Sequence, residues 1–130
     1  MEYKHLLFNK SFVDGEWVAG SSFTFDVLNP ANETVIETVA DGGTLVLEQA
    51  IQAANKAFKA WSNRTAKARA YLMEQWFWLI QQNKEAIATI MTLECGKPLA
   101  ESLSEVDYGA SFIKWFAEEA KRVYGDVIPP

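Results

Sequence analysis

The sequence predicts an α+β fold, with short strands leading and four helices following, the last of them long. Three observations predict it. About forty leading residues are β-branched and aromatic and cut by turn residues, whereas the rest carry apolar residues at helical spacing. Asp14-Gly15 lies between two short apolar runs, where a type I′ hairpin turn needs positive φ. A continuous apolar seam then marks the final helix.

The elements follow in order. Phe12-Val13-Asp14-Gly15-Glu16-Trp17 reads as a hairpin. Phe23-Thr24-Phe25-Asp26-Val27 alternates and is expected to form a half-buried strand. Asn29-Pro30-Ala31-Asn32 breaks it, residues 34–40 offer another strand, and Asp41-Gly42-Gly43 makes a turn. Residues 1–43 are therefore strands and turns, and residues 44–125 are helical, within a single unit spanning 1–130.

Thr44 is expected to cap a first helix running to about Trp61, with Val46, Ala50, Ala53, Ala54, Ala57 and Phe58 on one face. Thr65 caps a second, whose stripe is Leu72, Met73, Trp76, Leu79 and Ile80. Asn83 caps a third, carrying Ala86, Ile87, Ile90, Met91 and Leu93 and stopped by Gly96. Pro98 suits the first turn of the fourth. There Leu99, Leu103, Val106, Ala110, Ile113, Ala117, Ala120 and Tyr124 recur at steps of four and three. That seam covers about 26 residues, roughly 39 Å at helical rise, and Gly125 ends it.

The bulk numbers narrow the function. The chain has 130 residues, 49% of them hydrophobic and 13% aromatic, with five Trp. A domain of this size buries roughly two-thirds of its unfolded surface, so Trp76, Phe77, Trp78, Trp115 and Phe116 are not all expected to be covered. The net charge of -5 and scattered basic residues argue against nucleic acid. The single Cys95 cannot form an internal disulfide, which suits a reducing compartment. The first nine residues have no apolar core of signal-peptide length, and no window approaches a membrane span. A cytoplasmic protein is expected.

Three signatures carry a family resemblance. They are Val13-Asp14-Gly15-Glu16-Trp17 with Val27-Leu28-Asn29-Pro30-Ala31; Ala50-x-x-Ala53-Ala54-x-x-Ala57-Phe58-x-x-Trp61; and Thr92-Leu93-Glu94-Cys95-Gly96-Lys97-Pro98-Leu99-Ala100-Glu101 with Glu105 following. In this order they resemble the N-terminal region of the aldehyde dehydrogenase superfamily, over essentially the whole chain down to Tyr124-Gly125-Asp126-Val127-Ile128-Pro129. Residues 111–126 are most similar to bacterial succinate-semialdehyde dehydrogenases.

The resemblance implies NADP- or NAD-dependent oxidation of an aldehyde to a carboxylic acid by the intact enzyme. In that family a cysteine thiolate adds to the carbonyl and a glutamate-activated water hydrolyses the thioester. It also implies that the nucleophile, the glutamate, the oxyanion-binding asparagine and the cofactor turn lie in later segments. This chain is then the N-terminal part of the cofactor-binding domain. It is expected to be inactive alone, to bind no cofactor, and to have the remainder of the enzyme as its partner. Self-association through exposed apolar faces is expected of the isolated chain.

Individual residues have plainer readings beside the functional ones. Cys95 has Lys97 nearby, but a small, partly buried residue at a helix end explains it better than a nucleophile. Gly96-Lys97-Pro98 lacks P-loop spacing and joins two helices. Glu94, Glu101, Glu105 and Asp107 read as solvated charge, and a lone His5 supplies no ligand set. The resemblance adds two site assignments. The Leu28 carbonyl and the Glu94 carboxylate match a monovalent-cation site completed beyond this chain. Tyr108, Phe112 and Ser104 match positions that line the family's substrate tunnel, against ordinary packing as the alternative.

A reading of another class is a free-standing helical interaction module using the long helix as its partner surface. The DNA following Pro130 separates the two: it either continues in frame towards a catalytic cysteine or stops. An end at Ile128-Pro129-Pro130 looks like a chosen boundary.

Overall fold

The computed structural model describes residues 3–20 and 23–125, and the Asp126–Pro129 part of the family signature lies outside them. A 3₁₀ turn at Lys4–Leu6 precedes two antiparallel pairs, β1 (Ser11–Val13) with β2 (Glu16–Val18) and β3 (Thr24–Leu28) with β4 (Val35–Ala40). Four helices follow: α1 (Gly43–Ser62), α2 (Ala66–Gln82), α3 (Lys84–Cys95) and α4 (Leu99–Glu119). The α+β architecture is as the sequence predicts.

The first hairpin turns where Asp14-Gly15 stands, with φ of 50° and 87°, the sign a type I′ turn needs at both central residues. Its register sets Phe12 opposite Trp17. Phe8 stacks on the same indole, with ring centroids 4.1 Å apart. Such pairing matters because a two-stranded ribbon is marginal by itself. The second ribbon departs from expectation. Phe23 and Phe25 are exposed rather than half-buried. Alternation foretold the strand, but within β3 only Val27 is half-buried, while β4 half-buries Ile36, Glu37, Val39 and Ala40.

Gly20 fixes how the hairpin meets α1. Its φ is +73°, and a Cβ there would lie 2.7 Å from Val46 Cγ2 and 2.8 Å from Gly42 Cα. Only glycine lets the chain pass that close. Val46, the one buried residue of α1, is covered at this crossing.

Two caps differ from the sequence reading. The cap of α1 is Gly42 rather than Thr44, and the Asp41 carboxylate accepts the Gly43 N–H at 2.9 Å. Asn83 gives α3 no side-chain cap; its amide donates to the Leu79 carbonyl at 2.8 Å, closing α2 instead. Thr65 does cap α2, accepting from the Ala68 N–H at 3.2 Å. Thr65→Ala is expected to cost about 1 kcal/mol, read as a lower urea midpoint at unchanged slope.

Gly96 ends α3 in the left-handed region at φ 72°, as a C-terminal glycine should. Pro98 sits at the N-cap of α4, one step before the first turn, and its carbonyl accepts from the Glu101 and Ser102 N–H groups. The helix stops at Glu119, so the helical region ends short of residue 125, and Tyr124 lies off the seam and exposed.

The main core lies where α4 crosses α2 and α3 and, among the described residues, buries Ala70, Ala88, Val106, Ala110 and Ala117, while Val46 is buried apart from it on α1. All are small or medium. Ser102 is fully buried too, and its hydroxyl is 2.8 Å from Thr92 Oγ1, which joins α3 to α4 without an unpaired polar atom. On α2 the face turned to α4 includes Ala70, Glu74, Phe77 and Gln81. Of the expected stripe Leu72, Met73, Trp76, Leu79 and Ile80, Met73 and Ile80 are half-buried and the other three exposed, with Trp76 and Leu79 edging a shallow groove with Leu6, Ile80, Ile87 and Ile90.

The surface tells the same story as the core. The chain exposes 9851 Å². A compact monomer of 14.6 kDa is expected to expose about 6,900 Å². The excess is about 2,900 Å², larger than one side of a standard protein interface. Trp76, Trp78, Trp115 and Phe116 are exposed and Phe77 is half-buried.

Candidate functional site

The outward side of α4 carries the expected tunnel residues. Ser104, Tyr108 and Phe112 recur at four-residue steps, so helical geometry sets them one above another. All three are exposed, facing away from the Val106–Ala110–Ala117 seam. Tyr108 and Phe112 meet edge to face at 5.0 Å and 90°. The Ser104 hydroxyl donates to the Ala100 carbonyl at 3.0 Å, and that of Ser111 to the Tyr108 carbonyl at 2.7 Å. The stripe thus presents an aromatic pair and one phenol, with the Ser104 and Ser111 hydroxyls turned to backbone carbonyls.

The second candidate lies where strand and helix ends meet. The β3–β4 register slips between Val27 and Leu28, and a bulge interrupts ladder bonding at such a point. Asn29 then organises the turn: its side chain accepts from the Ala31 N–H at 2.9 Å, and its carbonyl from the Glu33 N–H at 2.7 Å. Pro30 of this turn lies against Gly96, where a Cβ would come within 2.9 Å of Pro30 Cγ. The Leu28 corner and the Glu94 end of α3 are therefore neighbours. Two oxygen donors suit a hard cation, yet both residues are exposed. Among the described residues no group of three His, Cys, Asp or Glu could hold a metal by itself.

Cys95 is the last residue of α3 and is exposed, not partly buried as its helix-end position suggested. Lys97 pairs with Glu105 across the α3–α4 turn at 2.6 Å. That hydrogen bond, foremost, and then the Glu105 charge hold the lysine above its ordinary range. Glu105 is therefore half of an ion pair rather than simply solvated charge.

Asp107 likewise has partners that sequence spacing did not reveal. Lys84 Nζ donates to it at 2.6 Å and the Gln81 amide at 3.3 Å. These bonds, Lys84 first, hold its carboxyl below the usual carboxylate range. Glu118 is lowered by Lys114 first and then by Lys121, while Lys121 is raised chiefly by Glu74. Both lysines reach Glu74 of α2, at 3.7 and 3.2 Å, so a network joins the middle of α2 to the C-terminal end of α4.

A depressed carboxylate stabilises the fold above its unfolded range and loses that contribution as pH falls through the folded value. Thermal stability is therefore expected to fall on acidification below the carboxylate range, and Asp107→Asn to flatten that limb. A raised lysine contributes through neutral pH and loses its contribution only in strongly alkaline solution. Because these pairs face solvent, added salt is expected to shrink both effects. Melting curves across pH and salt check this.

The Asp41-Gly42-Gly43 turn does not fit a dinucleotide phosphate. It is the strand-to-helix turn most like a phosphate cradle, but its Gly43 N–H is held by the Asp41 carboxylate and Gly42 is closed over by Gly20 and Val46. An acid at that helix start repels phosphate where the helix dipole would have attracted it. No described helix is long and apolar enough to cross a membrane.

The chain matches the aldehyde dehydrogenase family model over residues 17–130 and belongs to that family. Two relatives show the neighbourhood. A 3-sulfolactaldehyde dehydrogenase of Pseudomonas putida is 49% identical over 125 residues, covering 95% of this chain and 26% of the relative. The NADP(+) succinate-semialdehyde dehydrogenase of Escherichia coli is 46% identical over 126 residues, covering 96% and 26%.

Solved structures agree on the fold. The succinate-semialdehyde dehydrogenase of Burkholderia pseudomallei superposes with a TM-score of 0.93 at 44% identity, covering 98% of this chain and 27% of that one. The betaine aldehyde dehydrogenase of Staphylococcus aureus, solved with NAD+, gives 0.91 at 35% identity, covering 99% and 26%. The chain spans about a quarter of the length of the proteins it matches.

Proposed function

We propose that this chain is the N-terminal scaffold of an NADP- or NAD-dependent enzyme that oxidises an aldehyde bearing a distal acid group, succinate semialdehyde foremost. The observation that carries the reading is similarity over more than nine-tenths of the chain to enzymes named for sulfolactaldehyde and succinate semialdehyde. Both substrates pair an aldehyde with an anionic tail. Cofactor, nucleophile and general base belong to the rest of such an enzyme, and the 130 residues are inactive alone.

Within that enzyme α4 contributes one wall of the substrate tunnel through Tyr108 and Phe112, with Ser104 at its edge. Their outward placement on α4 supports this role. The Leu28 carbonyl and Glu94 supply two oxygen ligands of a monovalent-cation site, supported by the Pro30–Gly96 contact. The partner is the remainder of the enzyme. Without it, the excess apolar surface drives the isolated chain to self-associate.

The test is a graft. Residues 1–130 replace the matching quarter of the Escherichia coli relative, and turnover is measured with succinate semialdehyde and with an uncharged aldehyde of equal length. The graft is expected to retain activity and to prefer the acid substrate. Tyr108→Ala within it is expected to raise KM about tenfold at nearly unchanged kcat, as for a lost binding contact. A graft that folds, binds NADP and turns over neither aldehyde overturns the reading.

A further inference from the structure

We draw no further inference here: the strongest candidate, the corner where Pro30 of the β3–β4 turn meets Gly96 at the end of α3, belongs to the cation site already described.

Discussion

Val106→Asp is expected to unfold the chain at neutral pH. Val106 is 5% exposed on the α4 face that α2 and α3 cover. A carboxylate there loses its hydration without a built partner, at a cost of several kcal/mol. Domains of this kind hold about 5–15 kcal/mol in all, and a main core of four Ala and one Val among the described residues sits at the low end. Two residues further on, Tyr108→Asp is expected to change stability by no more than about 0.5 kcal/mol, because that position points outward. Thermal melts of the pair, followed by far-ultraviolet circular dichroism, read the difference. Acid should partly restore Val106→Asp by neutralising the carboxyl. Equal stability of the two variants would mean that α4 presents a different face to the bundle.

Gly20→Ala is expected to be the most damaging loop change. The left-handed backbone costs an alanine about 1–2 kcal/mol, and overpacking adds about 1–3. The new methyl would lie 2.8 Å from backbone, Gly42 Cα, as well as 2.7 Å from Val46 Cγ2. Backbone cannot swing aside as a side chain can. The expected result is a hairpin detached from α1, seen as faster amide exchange in residues 11–18 with the α2–α4 bundle still protected. Gly109→Ala should act oppositely. It lies inside α4 with no atom within 4 Å of the added Cβ, so it should stabilise by about 0.5–1 kcal/mol.

Local chemistry made most elements legible. Asp14-Gly15 announced a turn because few other pairs accept two positive φ values, and Thr65 and Gly96 mark helix ends by the same kind of local rule. Tertiary choices were not legible. Thr44 and Asn83 are good cap residues, yet Asp41 and the close of α2 took those roles, since a cap depends on where the preceding chain arrives. On α2, apolar periodicity favoured Leu72, Met73, Trp76, Leu79 and Ile80, of which only Met73 and Ile80 are half-buried. The helix instead turned Ala70 and Phe77 inward, where a small residue lets α4 approach and Glu74 reaches Lys114 and Lys121.

The candidate sites divide along the same line. Ser104, Tyr108 and Phe112 share a stripe because four-residue spacing dictates it, and sequence alone could say so. Leu28 and Glu94 are 66 residues apart, and only the Pro30–Gly96 contact brings their corners together. The Thr92–Ser102 pair and the Lys84–Asp107 bridge gave no sequence signal, because a buried serine and an exposed one look alike in a string of letters.

The isolated chain is expected to be scaffold without catalytic activity of its own. Folded, purified chain 1–130 is mixed with succinate semialdehyde and either NADP+ or NAD+, and formation of the reduced nucleotide is followed by absorbance. No turnover above the buffer rate is expected, with or without the thiol of Cys95. Nucleotide reduction that Cys95→Ser abolishes would contradict the account, because it would make the exposed thiol at the end of α3 a catalytic nucleophile.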